Sequence, residues 1–182
     1  MKAERLFIAL TLPEPVRGAL AAAAEPIAGV AWTRPEQIHL TLRFLGDVAI
    51  EEETKLIDRL AQVRVEPFVL PVEGVGSFPL NAPPRVIWVG VGHGHPRLFQ
   101  LRQRLDDTVV SLALPVDVRT FHPHATLARC TAPAASGVAR WLRRHADLGA
   151  PPFRVEAFDL YASELRPDGA VHTLVRRFPL AG

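Results

Sequence analysis

Two short segments carry residue types that could do chemistry together. "IHLTLRF" runs from Ile38 to Phe44 and "HATLARC" from His124 to Cys130, and each contains a His-x-Thr-Leu motif. In both, apolar residues alternate with polar ones, as in a strand with one buried face. His39 and Thr41 therefore share one strand face, and His124 and Thr126 share another. Imidazole, with an ordinary pKa of about 6.5, supplies a general acid or a general base near neutral pH. Threonine hydroxyls are donors suited to non-bridging phosphate oxygens. Displacement at phosphorus holds the attacking and leaving oxygens roughly in line, so one histidine on each side of a phosphate is the arrangement such chemistry needs. A buried histidine bonded to a backbone carbonyl explains one copy of the motif. It does not explain threonine at the same offset in both.

The elements that must position these pairs repeat along the chain. Arg5 to Thr11 reads as a strand and Pro13 starts an alanine-rich helix. "WTRPEQ" is a turn into the first motif strand, which is expected to show His39, Thr41 and Arg43 on its open face. "IEEETKLIDRLAQV" has helical periodicity with acidic residues in its first turn, "FVLPVEGV" reads as a strand and "GSFPLNAPP" as a loop. The pattern then starts again, with a strand over 85–91, a helix from Pro96, the second motif strand and a helix ending at Gly149. "FRVEAFDLYAS" is another strand, and "AVHTLVRRF" is its hairpin partner across the turn "RPDG". The expectation is one domain over residues 1–182 with two similar lobes, residues 5–80 and 84–178.

Composition bounds the rest. The 182 residues are 48% hydrophobic and 22% charged, and net charge is only +2, too little for a broad nucleic-acid surface. One cysteine, Cys130, allows no intrachain disulfide and suits a reducing compartment. "RLFIALTL" is too short to span a membrane and lacks a leader-peptide pattern, so a cytoplasmic protein is expected.

"RLFIALTLPEPV", "WTRPEQIHLTLRFLGDV", "PRVIWVGV", "FHPHATLARC" and "FDLYASELRPDG" together resemble the RNA 2',3'-cyclic phosphodiesterases of the two-histidine (2H) phosphoesterase superfamily, some of them once called 2'-5' RNA ligases. The resemblance covers Arg5 to about Leu180. It implies an α+β fold of two pseudo-symmetric lobes, each an antiparallel sheet with helices outside, around a central cleft lined by both motif strands. It implies hydrolysis of a 2',3'-cyclic phosphate on RNA or a nucleotide to a 2'-phosphate, with ATP-independent 2'-5' joining at the same site. No metal, cofactor or membrane is implied, and a monomer is expected. By analogy His124 is the proton acceptor and His39 the proton donor, while Thr41, Thr126 and Arg129 bind phosphate. Strict alternation places Arg129 on the face opposite His124 unless the strand bulges. The chain departs from the family at His172, where a tyrosine is expected.

Other features are given structural readings. His93, His95 and His122 have metal-like spacing without acidic or cysteine neighbours. Trp32, Trp88 and Trp141 lie in apolar segments and are read as core. Phe7 is a weak candidate for nucleotide contact, and "ARWLRRH" is a solvated helix face. The alternatives are the same chemistry on a small cyclic nucleotide or an ADP-ribose cyclic phosphate, and a non-catalytic RNA-binding module.

Overall fold

The computed structural model describes residues 3–115, 119–130, 134–166 and 169–182. Pro167 and Asp168 of the expected "RPDG" turn lie outside them.

The chain begins with β1 (Ala3–Thr11) and α1 (Glu14–Ala21), continues through β2 (Val30–Trp32) and a 3-10 turn at Pro35–Gln37, and reaches the first motif strand, β3 (His39–Ala49). Then come α2 (Ile50–Leu60), β4 (Phe68–Glu73), β5 (Val75–Phe78), β6 (Val86–Gly90) and α3 (Pro96–Ser111). The second motif strand is β7 (His124–Cys130), followed by α4 (Ala135–Arg144), β8 (Gly149–Val155), β9 (Ala157–Arg166) and β10 (Gly169–Pro179). The path β10-β9-β1-β3-β7-β6-β5 forms one sheet whose ladders are antiparallel, with β2 added beside β7, while β4 and β8 make a separate pair. The result is an α+β fold. Strand exchange ties its halves together: β9 and β10 extend β1, and β5 extends β6.

Pattern and structure part company in identifiable places. The Pro- and Gly-rich "GSFPLNAPP" contributes β5, because pairing with β6 supplies what local propensity does not. Gly74, at φ +81°, turns the chain between β4 and β5. "FRVEAFDLYAS" is not one strand: it breaks at Glu156, so that β8 joins β4 and β9 joins β1. Of the tryptophans, Trp141 is fully buried, whereas Trp88 is half-buried beside His122 and His124.

Arg43 is the largest difference. It was expected on the open face and is buried at 1% exposure, while Phe44 is turned outward at 50%. In the β1–β3 ladder Ala9 faces Thr41 and Ile8 faces Arg43, which leaves Leu42 as an extra residue. That bulge reverses the faces of Arg43 and Phe44, and a second one, at Leu45 between the Phe7–Phe44 and Leu6–Gly46 pairs, restores the original alternation. Arg43 then reaches under the sheet to Asp106 of α3 at 2.6 Å, and Arg102 holds the same carboxylate through Nε at 2.8 Å. A buried guanidinium is tolerable only with such partners.

Candidate active site

The β3–β7 ladder has a single pair, Leu40 opposite Ala125. These are the x residues of the two His-x-Thr motifs. Both side chains are buried, at 1% and 3% exposure, so the flanking His39, Thr41, His124 and Thr126 all lie on the other face of the sheet. The antiparallel sense sets His39 toward Thr126 and Thr41 toward His124, a two-fold arrangement centred on the Leu40–Ala125 pair. Past that pair the ladder stops, and β7 takes β2 as its partner instead.

A second bulge brings in Arg129. Trp88 faces Thr126 and Ile87 faces Ala128, so Leu127 is the extra residue. Both bulges therefore fall on the leucine of His-x-Thr-Leu. After the second, Ala128 is buried, and Arg129 pairs with Val86 on the same face as Thr126 and Trp88. Strict alternation misplaces Arg129, and the bulge returns it to the histidine side. By the same geometry Phe44 is its counterpart on β3.

The imidazoles are held alike. His39 Nδ1 is 2.7 Å from the Gln37 carbonyl oxygen, and His124 Nδ1 is 2.6 Å from that of His122. A carbonyl only accepts, so each Nδ1 carries the proton and donates it. Each ring therefore turns an Nε2 lone pair toward the open face. Burial is the main influence on both and lowers both pKa values, that of His39 to about 4. Charge on His172, His124 and Arg129 lowers His39 further, while the Gln37 carbonyl works against the shift. For His124 the charge of His122 adds to burial, and the His122 carbonyl opposes it. Both are therefore neutral near pH 7.

Aromatic rings wall the site. Phe7, buried at 3%, lies 5.0 Å from the His39 ring, 5.3 Å from Tyr161, 6.1 Å from Phe44 and 4.9 Å from His172. Opposite, the Trp88 ring is 6.2 Å from His124, and Phe78 is 5.2 Å from it. Behind Tyr161, the Thr11 hydroxyl donates to Asp159 at 2.6 Å and so accepts from the Tyr161 hydroxyl at 2.5 Å. Tyr161, Trp88 and Phe78 were not singled out by sequence as site residues, because aromatic residues in apolar strands read equally well as core.

The metal-like histidine spacings have other occupations. His95 caps α3, its Nδ1 accepting from the Arg97 amide at 3.1 Å, and its ring stacks on Phe68. His122 packs edge-on against Phe78 and Trp88. Among the described residues no three His, Cys, Asp or Glu side chains converge as a metal site, and no helix is long and apolar enough to cross a membrane.

The family model of LigT-like phosphoesterases matches residues 10–88 and 89–172, one stretch for each His-x-Thr motif. The chain belongs to this family. The LigT-like phosphoesterase is 37% identical to an RNA 2',3'-cyclic phosphodiesterase of Thermus thermophilus, covering 98% of this chain and 91% of that one. A protein of the same name from Archaeoglobus fulgidus is 30% identical over 96% of this chain and 99% of its own. Among solved structures, that of E. coli LigT complexed with 3'-AMP superimposes with a TM-score of 0.81 at 28% identity, with full coverage of both chains.

Proposed function

We propose that this LigT-like phosphoesterase opens 2',3'-cyclic phosphate ends of RNA or nucleotides to 2'-phosphates, using His39 and His124 as acid and base and no metal. The observation that carries the reading is the pair of imidazoles on adjoining strands, each fixed by its i−2 carbonyl so that Nε2 faces the same open side as Thr41, Thr126 and Arg129. The relatives' names support the substrate class, and the 3'-AMP complex of the E. coli protein supports a nucleotide ligand.

In this reading His124 Nε2 takes a proton from water as its oxygen attacks phosphorus. The bond to the 3' oxygen breaks, and His39 delivers a proton to that oxygen through Nε2. Imidazole switching between neutral and charged forms is what both transfers need. His39 by itself is neutral near pH 7, but a bound phosphate's negative charge favours its imidazolium. Once charged, a group held so low in pKa is a strong acid. Thr41 and Thr126 donate to the non-bridging oxygens, and Arg129 adds a positive charge beside them. A 5'-hydroxyl in place of water would leave a 2'-5' bond by the same transfers, driven by the strained ring without ATP. Every group invoked comes from one chain, which fits a monomer.

The reading is tested by turnover and substitution. RNA ending in a 2',3'-cyclic phosphate is expected to be turned over, with His39→Ala and His124→Ala each losing at least ~10²-fold in kcat. Retention of the wild-type rate by either variant would remove that histidine from the mechanism.

A further inference from the structure

His172 sits in this site without a role so far. On β10 it pairs with Ser163, and two residues on, Leu174 pairs with Tyr161, which pairs with Phe7. His172 therefore lies on the histidine face, its ring 5.3 Å from that of His39 at an interplanar angle of 88°. Its Nδ1 is buried with no hydrogen-bond partner, whereas its Nε2 is not among the buried, unpartnered atoms. An orphaned N–H is rarer and costlier than an orphaned lone pair. The proton accordingly belongs on Nε2, the opposite tautomer to His39 and His124.

That opposition matters to an anion. Neutral His39 and His124 offer lone pairs, which phosphate oxygens cannot use. We propose that His172 is a third binding imidazole of the site, donating its Nε2–H to an oxygen of the bound phosphate. The inference rests on the phosphodiesterase reading for its ligand. One residue fixes the spacing: the Gln37 carbonyl accepts from His39 Nδ1, and the Gln37 side-chain amide donates to the Ala170 carbonyl of β10 at 2.8 Å. Burial, and then the charge of Arg129, hold His172 below the usual histidine pKa, so it is neutral until the anion binds, and in either charge state its Nε2 carries a proton to donate.

The test uses 2'-AMP as the probe, with binding by calorimetry at pH 7 and KM on cyclic-phosphate RNA for H172Q, H172N and H172F. A glutamine amide nitrogen reaches the place of Nε2, and an asparagine nitrogen that of Nδ1. H172F and H172N are expected to weaken 2'-AMP binding and raise KM by about tenfold or more, the range for a hydrogen bond to a charged group. H172Q stays within about threefold and kcat moves less than KM. Wild-type binding by H172F, or H172Q no better than H172N, overturns the contact. Long-range proton–nitrogen NMR on the wild type is independent of how the variants fold: it should show His172 protonated on Nε2, with that nitrogen shifting as inorganic phosphate is added. A proton on Nδ1, or no shift, overturns it. Turnover of cyclic-phosphate RNA by the wild type, measured alongside, separates the two claims. If turnover fails while the 2'-AMP pattern holds, the activity falls and the binding role stands.

Discussion

Gly76 of β5 lies opposite Trp88 of β6, and the indole folds over it. A Cβ built on Gly76 would stand 2.2 Å from Trp88 Cζ2 and 2.5 Å from Cη2. Contacts under 3.0 Å are essentially never seen, so Gly76→Ala forces a separation of about 1 Å between β5 and the ring. The ring has His122 at 4.9 Å and His124 at 6.2 Å along its flank, so relief is obtained against the strand that carries His124. Overpacking of this kind costs about 1–3 kcal/mol, or a fall in melting temperature of about 3–10 °C for a chain of this length. A displacement of about 1 Å at a catalytic group can cost about 10²-fold in rate. Calorimetry and steady-state kinetics on Gly76→Ala, beside Gly76→Ala/Trp88→Leu, test both numbers. The double variant is expected to recover stability, because the smaller side chain removes the clash. A single variant with wild-type melting temperature and rate would refute the idea that Trp88 is wedged between β5 and His124.

Other expectations follow from the same geometry. Burial holds His39 and His124 below 6.5, so the bell of kcat/KM should peak between about pH 4 and 6.5; a maximum above pH 7.5 would contradict the burial. A depressed folded pKa means that the unfolded chain takes the proton first, so His39 makes stability fall as pH drops from 6.5 to about 4, by at most about 3 kcal/mol. His39→Gln should flatten urea-unfolding stability over that window. Asp106→Ala should cost about 3 kcal/mol or more by stripping a carboxylate from buried Arg43, and Arg43→Met should cost less because Asp106 keeps Arg102; equal losses on urea unfolding would contradict this. Thr11→Val removes both the donor to Asp159, which is 1% exposed, and the acceptor for Tyr161. It should lower unfolding stability by about 1–3 kcal/mol, and an unchanged urea midpoint would count against the network.

The two His-x-Thr pairs were legible because a period of two is a direct readout of strand faces, and Leu40 and Ala125 obey it. The faces of Arg43 and Arg129 were not, since a bulge inserts a residue without a signature: Leu42 and Leu127 are as apolar as the in-register residues they displace. Helices with end signals, such as Pro96 opening α3 behind His95, were readable. Strand exchange between the halves, and the division of 153–163 between two sheets, depend on long-range pairing that local pattern does not carry. The tautomers of His39 and His124 were invisible for a similar reason, because the carbonyls that set them are placed by backbone geometry.

The most direct test of the central claim is the product made from RNA ending in a 2',3'-cyclic phosphate when the purified protein acts in EDTA, alongside His39→Ala and His124→Ala. The wild type is expected to yield a terminal 2'-phosphate, and both variants to lose it. A 3'-phosphate, a requirement for added metal, or undiminished product from either variant would contradict that claim.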